Sequence, residues 1–125
     1  MAINGRVSQI QRSIERMHSD YAKPLDILTL AQEAAMSESA FHHNFKALTA
    51  TSPLQYLKTI RLHKAKLLMV SDGITAGAAA ERVGYESPSQ FSREFKRFFG
   101  DSPVQEVAKT RQILGLSETM LAAVK

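Results

Sequence analysis

Two short segments of this chain concentrate side chains that could bind an anionic partner through hydrogen bonds and positive charge. In each segment these side chains recur at i, i+3, i+4 and i+7, a spacing that places them on one face of a helix. The first set is Ser39, His42, His43 and Lys46, and the second is Ser89, Ser92, Arg93 and Lys96, flanked by Gln90 and Arg97. Hydroxyl, imidazole, amide and cationic groups at this spacing can donate several hydrogen bonds at once to an extended surface.

The two segments repeat each other at an offset of fifty residues. The pattern S-x-S-x-F-x-x-x-F-K begins at Ser37 and again at Ser87, and S-P-x-Q follows at Ser52 and at Ser102. Eight positions are therefore identical at one fixed offset. Upstream the match continues at an offset of forty-nine, which leaves Glu86 as one extra residue in the second copy. We interpret the chain as two copies of one supersecondary unit.

Helical periodicity and capping signals predict that these segments belong to an all-α fold. Apolar residues recur at helical spacing from about Val7 to Tyr21 and from about Leu25 to Ala34, and a third helix begins at Ser37. Each S-P-x-Q sequence is typical of a helix start, with serine as the N-cap and proline in the first helical position. Asp72-Gly73 ends the long helix that starts after Ser52. No segment shows the sustained period-two alternation that is typical of a strand.

An apolar stripe on each segment predicts which helix face is buried. The two stripes are Phe41, Phe45 and Leu48 in the first copy, and Phe91, Phe95 and Phe98 in the second. Because a core would take up these stripes, both polar sets should point outward. A short helix, a tight turn and a second helix with such faces is the layout of a helix-turn-helix unit, whose second helix enters the DNA major groove. Arginine, glutamine, serine and histidine can bond base edges there, and lysine can neutralise phosphate.

The repeat also predicts how the chain is divided. Residues 1–53 form the first helix-turn-helix subdomain, residues 54–72 a connecting helix, residues 73–109 the second subdomain, and residues 110–125 a C-terminal tail. The part of this helix with an apolar pattern, about 17 residues from Leu54 to Val70, would span roughly 25 Å.

These motifs closely resemble the DNA-binding domain of the AraC/XylS family of bacterial transcription regulators. The resemblance rests on L-A-x-x-A-x-M-S-x-S-x-F-x-x-x-F-K from Leu30 to Lys46 and on S-P-L-Q-Y-L-K-x-x-R-L-x-x-A from Ser52 to Ala65. The segment from Val83 to Arg97, followed by Gly100 and Pro103, is similar to the family's signature around its second motif. The resemblance covers roughly residues 8 to 109.

The resemblance implies a sequence-specific regulator domain that places two recognition helices in successive major-groove segments of a promoter site. The implied base-reading residues are Ser39, His42, His43, Ser89, Gln90, Ser92 and Arg93. The implied phosphate-binding residues are Lys46, Lys96 and Arg97. Its partners would be double-stranded DNA and, in the full regulator, RNA polymerase. Family members commonly carry a separate sensing or dimerisation domain, so we expect a C-terminal fragment that is monomeric in isolation and needs no cofactor.

Composition agrees with an intracellular polyanion-binding protein. The formal net charge of +4 suits a partner that carries negative charge. The absence of cysteine removes disulfide scaffolds, cysteine nucleophiles and cysteine-based zinc sites. No apolar run approaches the roughly 20 residues of a membrane span. We therefore predict a cytoplasmic protein that does not bind a membrane.

Three other interpretations compete with DNA binding. Because neighbours on a helix point about 100° apart, His42 and His43 cannot chelate one metal ion as an i, i+4 pair could. No Ser/His/Asp arrangement, carboxylate pair or phosphate loop indicates an enzyme, and Ser37 and Ser87 are better explained as N-caps than as nucleophiles. A protein-interaction module remains, but its surface would normally have an apolar centre, whereas these faces carry basic residues.

Two residues depart from the pattern that the repeat predicts. Gly77 lies inside a predicted helix, where glycine costs up to about 1 kcal/mol relative to alanine. Glu106 takes the position that Tyr56 has in the first copy, which predicts looser packing of the last helix.

Overall fold

The computed structural model describes residues 5–115, and within that range the chain forms seven α-helices joined by short turns. They are α1 (Gly5–Asp20), α2 (Ile27–Glu33), α3 (Glu38–Thr49), α4 (Pro53–Asp72), α5 (Ala76–Arg82), α6 (Pro88–Phe99) and α7 (Pro103–Ile113). The described residues contain no strand, and the predicted all-α fold is confirmed. The part of the predicted tail from residue 116 onward lies outside the described residues, while residues 110–113 belong to α7.

The helices group into two compact units, Met1–Ile60 and Arg61–Lys125. We call these the first unit and the second unit. The long helix α4 contributes its first half to the first unit and its second half to the second unit. Each unit therefore contains one copy of the sequence repeat.

Serine hydroxyls cap the repeated helices at the predicted positions. The Oγ atoms of Ser37 and Ser87 accept hydrogen bonds from the third residue beyond, at 3.1 and 3.2 Å, and so fix the starts of α3 and α6. Ser52 and Ser102 accept the same bond at the starts of α4 and α7. Each cap satisfies a backbone N–H group that would otherwise lack a helical partner, a contribution of about 1 kcal/mol.

The turn before α3 and the turn before α6 share one backbone geometry. Ala35 and Gly84 both have positive φ, of 57° and 98°. After α2 the N–H of Met36 bonds the carbonyl of Ala31, and after α5 the N–H of Tyr85 bonds the matching carbonyl of the earlier helix. These are the bonds of a Schellman motif, which ends a helix and turns the chain sharply. The geometry sets the direction in which each second helix leaves the turn.

The helices α3 and α6 end in the same backbone conformation but on different residues, alanine in α3 and glycine in α6. Ala50 and Gly100 both occupy the left-handed region, with φ of 65° and 92°, and both N–H groups bond a helix carbonyl at 2.8 Å. A Cβ atom on Gly100 would meet nothing within 4 Å, so only backbone conformation distinguishes glycine from alanine there. Gly100→Ala should lower the free energy of unfolding by about 1 kcal/mol.

Ala50→Gly should raise the free energy of unfolding by up to about 1 kcal/mol, because glycine adopts positive φ without steric cost. Chemical denaturation followed by circular dichroism measures both changes. Equal signs for the two exchanges would contradict the conformational explanation.

Each unit has its own apolar core. In the first unit the fully buried side chains come from α1, α2, α3 and α4: Ile10, Met17, Leu30, Phe41, Phe45 and Leu57. In the second unit α4, α5 with its C-cap residue, and α6 contribute the corresponding residues, which are Leu62, Ala65, Ala79, Ala80, Val83, Phe91 and Phe95. The matching phenylalanine pairs of α3 and α6 pack at ring-centroid distances of 5.6 Å in both units.

The predicted buried stripes are too long at their C-terminal ends. Leu48 is 47% exposed and Phe98 is 43% exposed, so the prediction that both are buried is wrong. A residue seven positions along a helix keeps the same direction but lies about 10.5 Å further along the axis. The core ends before that point. Phe98 instead packs edge-on against His63, at 5.2 Å between ring centroids, and against Phe99 at 4.9 Å.

The prediction that Glu106 loosens the packing of α7 is wrong. The residue is 8% exposed, and Lys66 donates a hydrogen bond to its carboxylate at 2.7 Å. Lys109 adds a second ion pair at 3.6 Å. The bond from Lys66 holds the pKa of Glu106 below its usual value, although burial acts in the opposite direction. A paired carboxylate thus replaces the tyrosine ring of the first copy.

Candidate nucleic-acid interface

The outward face of α3 is a shallow concave surface made of the predicted side chains. Ser39, His42, His43 and Lys46 are all exposed and line this surface together, as predicted from their spacing. They point outward because Phe41 and Phe45 fill the core on the opposite side of the helix. The only acid on the surface is Glu38 in the first turn, where the helix dipole favours a negative charge.

The surface of α3 continues onto α1, which sequence reasoning missed. Arg6 and Gln9 of α1 line a neighbouring depression together with Ser39 and His43 of α3. Arg6 is exposed, so its guanidinium adds positive charge beside the α3 face. Spacing along the sequence cannot predict this neighbourhood, because α1 and α3 are brought together by tertiary packing in the core of the first unit.

The outward face of α6 also carries all of its predicted residues. All six predicted residues are exposed: Ser89, Gln90, Ser92, Arg93, Lys96 and Arg97. Lys96 and Arg97 lie in the last turn, where positive charge is favoured by the carbonyl end of the helix dipole. Phe91 and Phe95 occupy the buried face opposite. Each second helix therefore presents a donor-rich, basic strip.

Near the start of α6, three side chains form a hydrogen-bonded network that the sequence did not predict. The Tyr85 hydroxyl donates to Oε1 of Glu94 at 2.7 Å, and Nε2 of Gln90 donates to Oε2 of the same carboxylate at 2.8 Å. Burial and the bond to Glu94 raise the pKa of Tyr85, against the opposing effect of the nearby Arg61 charge. The hydroxyl therefore stays protonated and remains a donor.

The described residues contain neither a cluster of metal-binding side chains nor a membrane-spanning helix. Within residues 5–115, no three histidine, aspartate or glutamate side chains lie close enough to hold a metal ion. None of the helices in that range is long and apolar enough to cross a membrane.

Comparison with known proteins identifies the repeated unit. A family model described as a helix-turn-helix domain matches residues 30–108, which is more than half of the chain. An AraC-like transcription regulator of Streptomyces lividans is 36% identical over 87 residues. The chain belongs to the AraC family of helix-turn-helix transcription regulators. Its AraC-type domain is the DNA-binding domain of transcription regulators.

Two further proteins are similar to this AraC-type domain, one a transcription regulator and the other a DNA-binding domain solved with DNA. The transcriptional regulator AlkR of Acinetobacter baylyi is 33% identical over 95 residues, which are 76% of this chain and 31% of AlkR. The DNA-binding domain of AdpA, solved in complex with a target DNA, superimposes with a TM-score of 0.78 at 30% identity. That match covers 82% of this chain and 93% of the AdpA domain.

The AraC-type domain matches only part of the length of these relatives. It spans 31% of AlkR and 29% of the Streptomyces lividans protein, or about a third of their length.

Proposed function

We propose that this AraC-type domain binds a promoter site by placing α3 and α6 in successive major-groove segments of double-stranded DNA. The observation that carries the proposal is the duplicated face: the second helix of each unit buries two phenylalanines and exposes a basic, donor-rich strip. A face of this kind is suited to bond base edges and to neutralise phosphates at the same time. Its occurrence at equivalent positions in both units argues against an incidental solvated surface.

The side chains divide into two roles by chemistry. Ser39, His42 and His43 on α3, and Ser89, Gln90, Ser92 and Arg93 on α6, bond base edges in the major groove. Lys46, Lys96 and Arg97 bind phosphates and hold each helix in register. Because the two helices carry different base-reading residues, the preferred site is asymmetric. One chain supplies both helices, so the isolated domain binds as a monomer.

In the full regulator the domain acts in the cytoplasm, with RNA polymerase as a further partner. The contact with polymerase would lie outside the base-reading faces, since these are occupied by DNA.

Substitutions of Arg93 and Lys96 separate the two roles. Arg93→Ala should cost about 1–3 kcal/mol of binding free energy on the preferred site and relax the preference at one base pair. Lys96→Ala should weaken binding to all sequences about equally, because a phosphate contact carries no sequence information. Fluorescence anisotropy on the preferred duplex and on a scrambled duplex measures both effects.

Lys96→Ala serves as the matched control, since it lies one turn from Arg93 on the same exposed face. If both variants lose the same affinity on the preferred and the scrambled duplex, Arg93 does not read a base.

A further inference from the structure

The amide of Gln90 is connected to a fixed point in the turn before α6. Tyr85 lies in that turn, half-buried, and its ring packs edge-on against Phe91 with 5.2 Å between centroids. Its hydroxyl holds one oxygen of Glu94, and the other oxygen of Glu94 holds Nε2 of Gln90. Two hydrogen bonds thus lead from a packed ring to an exposed side chain on the outward face of α6.

The bond to Glu94 fixes which way the Gln90 amide faces. An ionised carboxylate only accepts hydrogen bonds, so the NH₂ group of Gln90 must face it and the carbonyl oxygen must turn away. One N–H and the Oε1 atom remain for another partner. A glutamine side chain otherwise has many rotamers, and their loss opposes binding when the side chain is free. The network removes much of this freedom before any partner arrives.

The remaining donor and acceptor of Gln90 match one base. Glutamine bonds adenine bidentately by donating to N7 and accepting from the N6 amino group. A single N–H and one carbonyl oxygen are sufficient for this pair of bonds. The orientation imposed by Glu94 therefore favours adenine over the other bases at the position that Gln90 contacts.

The first unit has no polar side chain equivalent to Gln90, but a hydrogen bond still joins its turn to its second helix. The repeat pairs Tyr85 with Met36, Glu94 with Asn44 and Gln90 with Ala40. Asn44 donates from Nδ2 to the sulfur of Met36 at 3.6 Å, so the turn and the helix are again joined. Ala40 has no polar side chain to orient. The first unit thus supplies a natural control.

We propose that Tyr85 and Glu94 are positioning residues that hold Gln90 for the recognition of adenine in the site bound by α6. The inference rests on the proposed function, since it assigns the specificity of one contact within that interface. Tyr85 acts through Glu94 and does not touch the DNA.

A competition binding assay on singly substituted duplexes tests the proposal. The relative affinity for each base pair at every position of the preferred site is measured for the unaltered domain, Gln90→Ala, Tyr85→Phe and the double variant. Gln90→Ala should reduce the preference for adenine at one position by about 5- to 150-fold. Tyr85→Phe removes one hydrogen bond and keeps the ring, and it should reduce the same preference by about two- to tenfold. In the Gln90→Ala background Tyr85→Phe should have no further effect at that position.

Controls separate positioning from a general loss of structure. Met36→Leu alters the equivalent connection in the first unit and should leave the profile of base preference unchanged. Glu94→Ala should reproduce the loss seen with Tyr85→Phe at the same base pair. Thermal unfolding checks that each variant is folded at the assay temperature.

Three outcomes would overturn the inference. Tyr85→Phe could leave the adenine preference intact, it could act equally with and without Gln90, or Glu94→Ala could abolish a cytosine preference that Gln90→Ala retains. The last result would mean that Glu94 bonds a base directly. If Gln90→Ala changes no preference while the unaltered domain still discriminates, this inference fails alone. If the unaltered domain discriminates at no position, the proposed function fails.

Discussion

Binding of this domain to duplex DNA should weaken by about 10³- to 10⁵-fold between 50 and 200 mM salt, if it makes the usual number of about six to ten phosphate contacts. Each neutralised phosphate releases condensed counterions, and added salt reduces the gain in entropy from their release. The exposed cations proposed to make such contacts are Lys46 on α3 and Lys96 and Arg97 on α6. Fluorescence anisotropy across a salt series gives the slope directly.

A matched variant shows whether the slope comes from the assigned cations. Lys46→Ala should reduce the magnitude of the slope of log K against log salt by about 1. Ser39→Ala on the same face should leave the slope unchanged, because a hydroxyl carries no charge. A flat salt response of the unaltered domain would favour a surface that binds another protein.

Phe95→Ala should destabilise the second unit by about 3–5 kcal/mol. The Phe95 side chain is fully buried, and its ring contacts Phe91 at 5.6 Å and Phe99 at 4.5 Å between centroids. Truncation loses the burial of the ring and leaves a cavity in a small core that can collapse only partly. Urea denaturation followed by circular dichroism measures the loss.

Phe98→Ala is the control for Phe95→Ala, since it removes the same atoms three residues further along α6. Its ring is partly in solvent, so the loss should stay within about 1.5 kcal/mol. Equal destabilisation by the two substitutions would mean that the core extends to the end of α6.

The sequence repeat predicted the fold because it carries local signals that act within a few residues. Each serine cap depends on a bond from the N–H group three residues away, and the repeated sequence pattern spans both the serine and that residue. The outward faces of α3 and α6 followed from the position of Phe41, Phe45, Phe91 and Phe95, since helical periodicity fixes direction. The prediction of exposed candidate residues therefore needed no tertiary information.

The features that the sequence did not predict depend on where the core ends along a helix and on which helices pack together. Periodicity gives the direction of Leu48 and Phe98 but not the extent of the core, so their exposure was not predicted. The position of Arg6 beside α3 arises from packing between helices that are distant in sequence. Glu106 could be judged only when the structure placed Lys66 beside it.

The repeat carries one further local signal. The repeat pairs Ala50 with Gly100, and glycine at a helix end commonly marks positive φ. That pairing predicts the left-handed conformation that Ala50 adopts. The bond between Tyr85 and Glu94, in contrast, joins residues whose spacing of nine matches no helical contact and required the turn geometry.

The central claim, that α3 and α6 read different segments of one DNA site, is tested most directly by selection of bound sites from random duplex DNA. The selected duplexes should share one asymmetric site with two separate conserved segments, bound by one chain as judged by native mass measurement. Arg93→Ala should relax the preference at one base pair in one segment only, and His42→Ala with His43→Ala should weaken the preference in the other segment. Enrichment of no sequence, or of a palindrome bound by two chains, would contradict the claim.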